Sequence, residues 1–320
     1  MQINKPQKTG WRPSASVETL KKRAHLLKDL RAYMDRMGIM EADVPALGLA
    51  TVTDPFIQSL SLQDEQETFF LQTSPEYYLK RMLAAGFGDV YYLGPAFRKG
   101  ERGKKHRSEF TMLEWYRLGQ DDHSLMKEMA CMFRQLKPSV AIQFLTYQDA
   151  FQKVLGICPH NANLEELRKL AYEKAQAQFE SPLKSVWLDV LFSHCVEPDL
   201  PEGVAFVFDF PECMSALAKL DTNEQGQKIA RRFECYWNGV ELANGYWELT
   251  DAEEQARRFE NDNALRRELG LHEVESDPLF LEALREGLPD CAGVAMGVDR
   301  LLMCLENSED IAKTMAFSDH

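Results

Sequence analysis

Two long runs of strand-forming residues, 90–98 and 109–118, are separated by ten residues rich in Gly, Lys and Arg. Runs of this length joined by a turn-forming segment predict a long β-hairpin, and therefore an antiparallel sheet at the centre of the fold. The connecting loop is strongly basic: between 98 and 107 there are six Lys or Arg residues against one acid, Glu101. Such a loop can concentrate an anionic ligand at one place, although a solvated loop has the same composition.

The rest of the chain alternates between strand and helix signals. Apolar residues at helical spacing predict a helix over 16–37, and Pro75 is typical of the first turn of a second helix. The same reasoning predicts strands at 39–45, 204–210, 233–249 and 293–298, and helices over most of 124–195 and at 299–306. This order predicts a single α+β domain over residues 14–320, preceded by a polar tail at 1–13.

Charge and cysteine content exclude several classes of function. The 320 residues include 37 Lys and Arg against 50 Asp and Glu, a formal net charge of -13. An acidic chain is repelled by nucleic acids and anionic membranes at long range, so neither is expected as a general partner. No apolar run approaches the roughly 18 residues of a membrane helix, and the first residues lack a signal-peptide pattern. The seven cysteines form no Cys-x-x-Cys pair, which argues against a zinc site or a disulfide framework and predicts a cytoplasmic location.

The strand at 109–118 carries the first group of candidate site residues. Because side chains alternate along a strand, one face holds an aromatic ring, a carboxylate and a phenol, contributed by Phe110, Glu114 and Tyr116. The ring can stack on a purine beside the basic loop, and the two oxygens can hold an ammonium group. A half-buried strand packed for stability has the same pattern, although a buried glutamate then needs a partner.

The segment 241–248 carries two further carboxylates. Glu241 and Glu248 are seven residues apart and would point to opposite faces of a regular strand. Asn244-Gly245 between them predicts a bulge, and one extra residue would bring both carboxylates to one face. Two adjacent carboxylates are stabilised by a metal ion or a cationic substrate. The alternative is a surface strand with an ordinary Asn-Gly turn.

The segment 293–300 predicts a strand that runs into a helix. Gly297 leaves room for a ligand near the backbone, and Arg300 follows at the helix N-terminus, where phosphates bind well. Tight packing of helix on strand explains the glycines equally well. The segment is neither a Walker loop nor a dinucleotide-binding fingerprint, because the residues that define those motifs are missing.

Taken in order, these segments resemble the three signature motifs of the class II aminoacyl-tRNA synthetases. The first is the helix and strand that end at Pro45, the second is 97–116 and the third is 293–300, while 73–81 and 241–248 indicate the lysyl branch. The resemblance implies an α+β class II catalytic core, an antiparallel β-sheet flanked by helices, with a helical insertion at about 124–200. About fifteen residues precede the first motif, so no anticodon-binding domain is expected there.

The chain is most similar to stand-alone paralogs of lysyl-tRNA synthetase that act on elongation factor P. The resemblance implies ATP and Mg²⁺ as cofactors. It also implies that lysine or (R)-β-lysine is activated as an adenylate and transferred to a lysine of elongation factor P. A homodimer is expected, and tRNA is not expected as the acceptor.

The resemblance also assigns roles to individual residues. Catalysis would depend on Arg98, Glu241 and Arg300. The amino-acid substrate would be bound by Ser74, Pro75, Glu76, Glu114, Tyr116, Asn244 and Glu248. ATP would be bound by Arg98, Lys99, Gly100, Glu101, His106, Arg107, Phe110, Glu241, Leu242, Gly297 and Arg300. Mg²⁺ would be held by Glu241 and Glu248.

Two other functions stay open on the sequence. A minimal lysyl-tRNA synthetase without an anticodon domain is supported by the basic loop. A non-catalytic protein that binds lysine or its adenylate is supported by two departures from the family pattern. Lys99-Gly100-Glu101 stands where the family has Asn-Glu, and Arg107-Ser108 replaces Asn-Pro.

Overall fold

The structure is a computed structural model that describes residues 11–318, so residues 1–10 of the predicted tail lie outside the described part of the chain. The helices are α1 (Val17–Arg36), α2 (Glu76–Ala84), α3 (Asp122–Leu136), α4 (Tyr147–Leu155), α5 (Leu164–Lys174), α6 (Lys184–Leu191), α7 (Ala252–Glu268), α8 (Pro278–Gly287) and α9 (Val298–Leu305). The strands are β1 (Met40–Glu41), β2 (Leu47–Gly48), β3 (Ser61–Gln63), β4 (Thr68–Leu71), β5 (Val90–Phe97), β6 (Glu109–Leu118), β7 (Ile142–Thr146), β8 (Val204–Pro211), β9 (Leu220–Thr222), β10 (Lys228–Trp237), β11 (Val240–Trp247) and β12 (Cys291–Gly297).

The main sheet has its strands in the order β1-β5-β6-β12-β11-β10-β8-β7, with β9 paired to β10. Neighbouring strands in the series β5-β6-β12-β11-β10-β8 are antiparallel. The predicted hairpin is the β5–β6 pair. Strands β1 and β7 pair parallel to their neighbours at the two edges. The predicted α+β fold with an antiparallel sheet flanked by helices is therefore confirmed, and the parallel edges are an addition to it.

Helix α1 matches its prediction to within a residue at each end. Ser16 caps it by accepting a hydrogen bond from the backbone N–H of Thr19 (3.1 Å), which satisfies one of the free donors of the first turn. Its apolar face is buried in a core that also holds Leu113 and Trp115 of β6; the buried residues of α1 are Leu26, Leu30, Tyr33 and Met34.

Asp299 at the start of α9 ties together three of the elements that carry the sequence motifs. Its carboxylate accepts hydrogen bonds from the Arg23 guanidinium of α1 (2.5 Å) and from the backbone N–H of Thr111 in β6 (2.6 Å). Asp299 is buried, so this charge-assisted contact is well shielded from solvent. The contact fixes α9, and with it Arg300, against the strand that carries Phe110.

Two strand predictions need correction. The strand predicted at 39–45 pairs only over β1, because the chain soon reaches Pro45, which has no N–H to donate to a sheet. The segment 233–249 is a hairpin, whose turn is Asn238-Gly239 with φ of 48° and 70°. Positive φ at both positions suits a two-residue hairpin turn.

The segment 124–200 is mostly helical, as predicted, but it contains the short strand β7. Phe144 of β7 stacks on Phe206 of the neighbouring β8 with ring centroids 5.1 Å apart, so the strand is stabilised by a contact distant in sequence. The helices α4 to α6 enclose a second core around Tyr147 and Trp187. No helix in the described part of the chain is long and apolar enough to cross a membrane.

Candidate active site

Two adjoining cavities open on one face of the main sheet. The acidic compartment, a cavity of about 390 Å³, is lined by Ser74, Glu76, Glu114, Tyr116, Asn244 and Glu248 among others. The basic compartment, about 150 Å³, is lined by Glu101, His106, Arg107, Phe110, Glu241, Leu242, Gly297 and Arg300 among others. Arg98 and Asn244 line both, so a single ligand can extend from one compartment into the other.

Strand β6 supplies a side chain to each compartment through its alternation. Phe110 lines the basic compartment, whereas Glu114 and Tyr116 line the acidic one. Leu113 and Trp115 point to the opposite side and are buried in the core. The predicted face of this strand is therefore observed, with its aromatic ring and its carboxylate in neighbouring cavities.

The acidic compartment contains more negative than positive groups. Lys80 is buried and lies 2.5 Å from Glu76 and 2.6 Å from Glu248. Burial alone would lower the pKa of Lys80, but Glu248 and Glu76 outweigh it and raise that pKa. One ammonium thus faces three carboxyl groups, Glu76, Glu114 and Glu248, and this excess of acids favours a cationic ligand.

Glu114 is the carboxyl group that such a positive charge would stabilise most. Its Oε1 accepts a hydrogen bond from the Tyr116 hydroxyl (2.8 Å), while its buried Oε2 has no partner within residues 11–318. Burial, and next the charge of Glu76, raise the pKa of Glu114 well above its usual range. Burial also raises the pKa of Glu248, against the opposing effect of Lys80. A cationic ligand would stabilise the ionised form of both carboxyls.

The basic compartment has cations and a flat ring. The Arg98 guanidinium lies 5.2 Å from the centroid of the Phe110 ring. Arg300 is held by hydrogen bonds to the backbone oxygens of Glu241 (2.8 Å) and Lys105 (3.0 Å). Desolvation by the surrounding loop, and next the charge of Arg300, lower the pKa of His106. These groups suit a purine with phosphates.

Three of the predicted site residues lie apart from these linings. Lys99 and Gly100 belong to the exposed part of the loop, and the Lys99 N–H donates to the backbone oxygen of Gln58 (2.7 Å). Pro75 is the N-cap of α2 and places Glu76 in the first turn of that helix. None of these three residues lines either cavity in the described structure.

Comparisons with known proteins agree with this geometry. Residues 7–320 match the profile of the family described as tRNA synthetases class II (D, K and N). The chain belongs to this class II synthetase family. A protein of Vibrio parahaemolyticus named elongation factor P–(R)-beta-lysine ligase is 43% identical over 319 residues, which cover 97% of this chain and 98% of that relative. Proteins of the same name from Vibrio cholerae and Photorhabdus laumondii are each 42% identical, over 96% of this chain and 97% of each relative.

Within this class II fold, the two carboxylates predicted to share a metal ion differ in burial and in partners, and their joint binding of a metal ion stays a prediction. Glu241 lines the basic compartment and is 44% exposed, with Oε2 3.5 Å from Arg300. Glu248 is buried in the acidic compartment and paired with Lys80. The bulge is also displaced: Leu242, not Asn244-Gly245, is the extra residue opposite β10. Both carboxylates thus have a cationic neighbour within the protein, Arg300 for Glu241 and Lys80 for Glu248, and Glu241 is the more exposed of the two.

Glu234 is a largely buried acid next to the site that sequence reasoning did not single out. It pairs across the hairpin with Asn244, so both side chains lie on the face of the sheet that carries the site. It accepts hydrogen bonds from Arg232 (2.5 Å) and from the Tyr236 hydroxyl. Burial raises the pKa of Glu234, and the negative charge of Glu241 adds to the rise. The alternation of Arg232, Glu234 and Tyr236 along a predicted strand was the available signal.

One group of three potential metal ligands is found in the described residues outside this site. Asp122, His123 and Asp209 have ligand atoms within 4.8 Å of one another. Asp122 is already paired with the Arg231 guanidinium (2.5 Å). The group lies away from both compartments and takes no part in the site.

We expect Gly293→Ala to impair the acidic compartment. Gly293 of β12 pairs with Tyr116, and a Cβ atom there would overlap the Tyr116 ring and Glu248 Oε1. Because both neighbours are buried, overpacking should cost about 1–3 kcal/mol in the free energy of unfolding and raise the KM for the amino acid. Urea denaturation and amino-acid-dependent pyrophosphate exchange measure these changes. Gly103→Ala, with no atom within 4 Å of the added Cβ, is the control, and a wild-type KM for Gly293→Ala would contradict the placement.

Proposed function

We propose that this protein activates lysine or (R)-β-lysine with ATP and transfers it to a lysine side chain of elongation factor P. The observation that carries the proposal is the acidic compartment, where three carboxyl groups face one ammonium. A diamino acid brings two ammonium groups, which match this excess. Its carboxylate would then reach Arg98, where the two compartments meet. The names of the relatives support the same substrate and acceptor.

The reaction has two steps. The substrate carboxylate attacks the α-phosphorus of ATP, forming the acyl–adenylate bond and releasing pyrophosphate. The amine of the acceptor lysine then attacks the acyl carbon, forming an amide and releasing AMP and a proton. Arg98 would stabilise charge on the α-phosphate in the first step, and the neighbouring Phe110 would stack on the adenine.

Magnesium would supply charge neutralisation on the phosphates of ATP when bound. Glu241 and Glu248 would hold it, and Glu241 is the more accessible of the two because Glu248 is buried. Residues 14–320 would act as a single catalytic domain in a cytoplasmic homodimer, with elongation factor P as the acceptor instead of tRNA. Catalysis then rests on positioning and electrostatics, without a covalent enzyme intermediate.

The intact mass of elongation factor P tests the proposal directly. The factor is incubated with the protein, Mg-ATP and either lysine or (R)-β-lysine, and we expect a gain of one lysyl unit. Omitting ATP, or replacing the acceptor lysine of the factor by arginine, should abolish the gain. The amino acid that is transferred faster identifies the substrate.

The remaining outcomes distinguish the other functions. If the mass of elongation factor P does not increase but amino-acid-dependent pyrophosphate exchange is intact, the adenylate is transferred to another acceptor. Charging of bulk tRNA would then be tested next. No gain and no exchange would contradict an active ligase and favour a binding protein.

A further inference from the structure

Gln255 of α7 is a polar residue of the acidic compartment that neither the motifs nor the assigned roles include. It lines the cavity and is fully buried. Neither its amide nitrogen Nε2 nor its amide oxygen Oε1 has a hydrogen-bond partner among the described residues. Buried amides in folded proteins are nearly always paired, so an amide with both ends free in a substrate cavity indicates a missing ligand.

The backbone around Gln255 is firmly held. Its N–H donates to the backbone oxygen of Asp251, the N-cap residue of α7 (3.0 Å). One turn later, the Arg258 guanidinium donates to the backbone oxygens of Ala216 and Ala218 (2.7 and 2.9 Å). The first turns of the helix are therefore anchored on both sides, and the Gln255 side chain is kept at the cavity wall.

Most neighbouring polar side chains of the compartment have at least one partner within the protein, although Glu114 Oε2 has none among the described residues. Glu76 is paired with Lys80, the Tyr116 hydroxyl donates to Glu114, and the Asn244 amide donates to the Tyr246 hydroxyl (3.0 Å). Gln255 thus differs from its neighbours, because the internal network leaves both of its amide atoms available.

We infer that Gln255 binds the amino-acid substrate directly, with Oε1 accepting a hydrogen bond from a substrate ammonium group. The inference deepens the proposed function and rests on it. The charged acceptors of this compartment are carboxylates, so the end of the ligand found here carries N–H donors. A primary ammonium has three such donors and gains from a neutral acceptor beside the carboxylates. Gln255 does not line the basic compartment, so ATP binding is independent of it.

Calorimetric titration of Gln255→Met with lysine, (R)-β-lysine and ATP tests the inference. Methionine keeps the length of the side chain and removes both unpaired polar atoms. Since a hydrogen bond to a charged group is lost, we expect the affinity for the preferred amino acid to fall by about ten- to a hundredfold. The affinity for ATP should not change, and the unfolding temperature should rise or stay the same, because no internal hydrogen bond is lost. A structural role would lower the unfolding temperature instead.

The matched control is Gln227→Met, the same substitution at an amide that has partners. Gln227 accepts from Asn223 (2.8 Å) and donates to Cys158 (3.2 Å), and it lies outside both compartments. This variant should lose stability and keep its affinity for the amino acid. If the wild type binds an amino acid and Gln255→Met binds it equally well, the inference is overturned while the proposed function stands. If the wild type binds neither amino acid, both are overturned.

Discussion

Replacing Arg98 by alanine is expected to lower amino-acid-dependent pyrophosphate exchange by about 10²–10³-fold, the usual effect of removing one donor that stabilises transition-state charge. Arg98 lines both compartments and is held by its neighbours, with Nη1 3.7 Å from Glu101 and the guanidinium over the Phe110 ring. Its buried Nε has no partner among residues 11–318 and is free to donate to a ligand. The effect should fall mainly on kcat, because the charge on the α-phosphate develops during the reaction.

Arg102→Ala is the matched control for this prediction. Arg102 belongs to the same basic loop and carries the same charge, but it is exposed and lines neither compartment. Exchange by Arg102→Ala should stay close to wild type. If both alanine variants lose exchange to a similar extent, the basic loop acts through its overall charge, and the specific role of Arg98 is wrong.

The fold was predictable where local signals and long-range contacts agree. The hairpin of β5 and β6 combines strand-forming runs with a turn-forming loop, and it occurs where the sequence places it. Strand β7 was missed because it is stabilised by stacking of Phe144 on Phe206, about sixty residues away in the chain. The hairpin turn at Asn238-Gly239 was missed, and the same Asn-Gly signal at Asn244-Gly245 was interpreted as the bulge, which the structure has at Leu242. Register and twist select the first pair, and neither is visible in a local window.

In the candidate site too, the residues placed by local periodicity were predicted and those placed by long-range contacts were not. Periodicity along one strand placed Phe110, Glu114 and Tyr116 correctly relative to one another. Lys80 was not singled out for the site, because a lysine in a helix is usually exposed. Its role depends on contacts with Glu76 in the same helix and with Glu248 far along the chain. Such a balance of buried charges arises only in the folded protein.

Lys80→Met should be the most destabilising substitution in the acidic compartment. It removes the one ammonium held between Glu76 and Glu248 and leaves buried carboxylates without a counter-charge. Removing one partner of a buried ion pair costs about 3–5 kcal/mol, so the free energy of unfolding at pH 8 should fall by that amount. Urea denaturation of the variant and the wild type gives the difference. Loss of Lys80 also raises the pKa of Glu248 and Glu114 further, because its charge lowers both in the intact protein.

These raised pKa values determine whether the free energy of unfolding rises or falls with pH. A carboxyl whose pKa is higher in the folded state contributes stability at low pH and loses it as the pH rises through that value. The pKa of Glu248 is about 8 in the intact protein and higher still without Lys80, so both proteins hold this carboxyl mostly protonated well below pH 8. The deficit of Lys80→Met should therefore grow as the pH rises from about 7 to about 9, where the intact protein releases the Glu248 proton and the variant does not. Lys22→Met is the control, because Lys22 also lies 2.6 Å from a carboxylate, Glu306, but on the surface. Solvent screens that pair, so its loss should have little effect at any pH. A deficit for Lys80→Met that matches the control, or that grows on acidification, would show that Lys80 does not balance the carboxyl groups of this cavity.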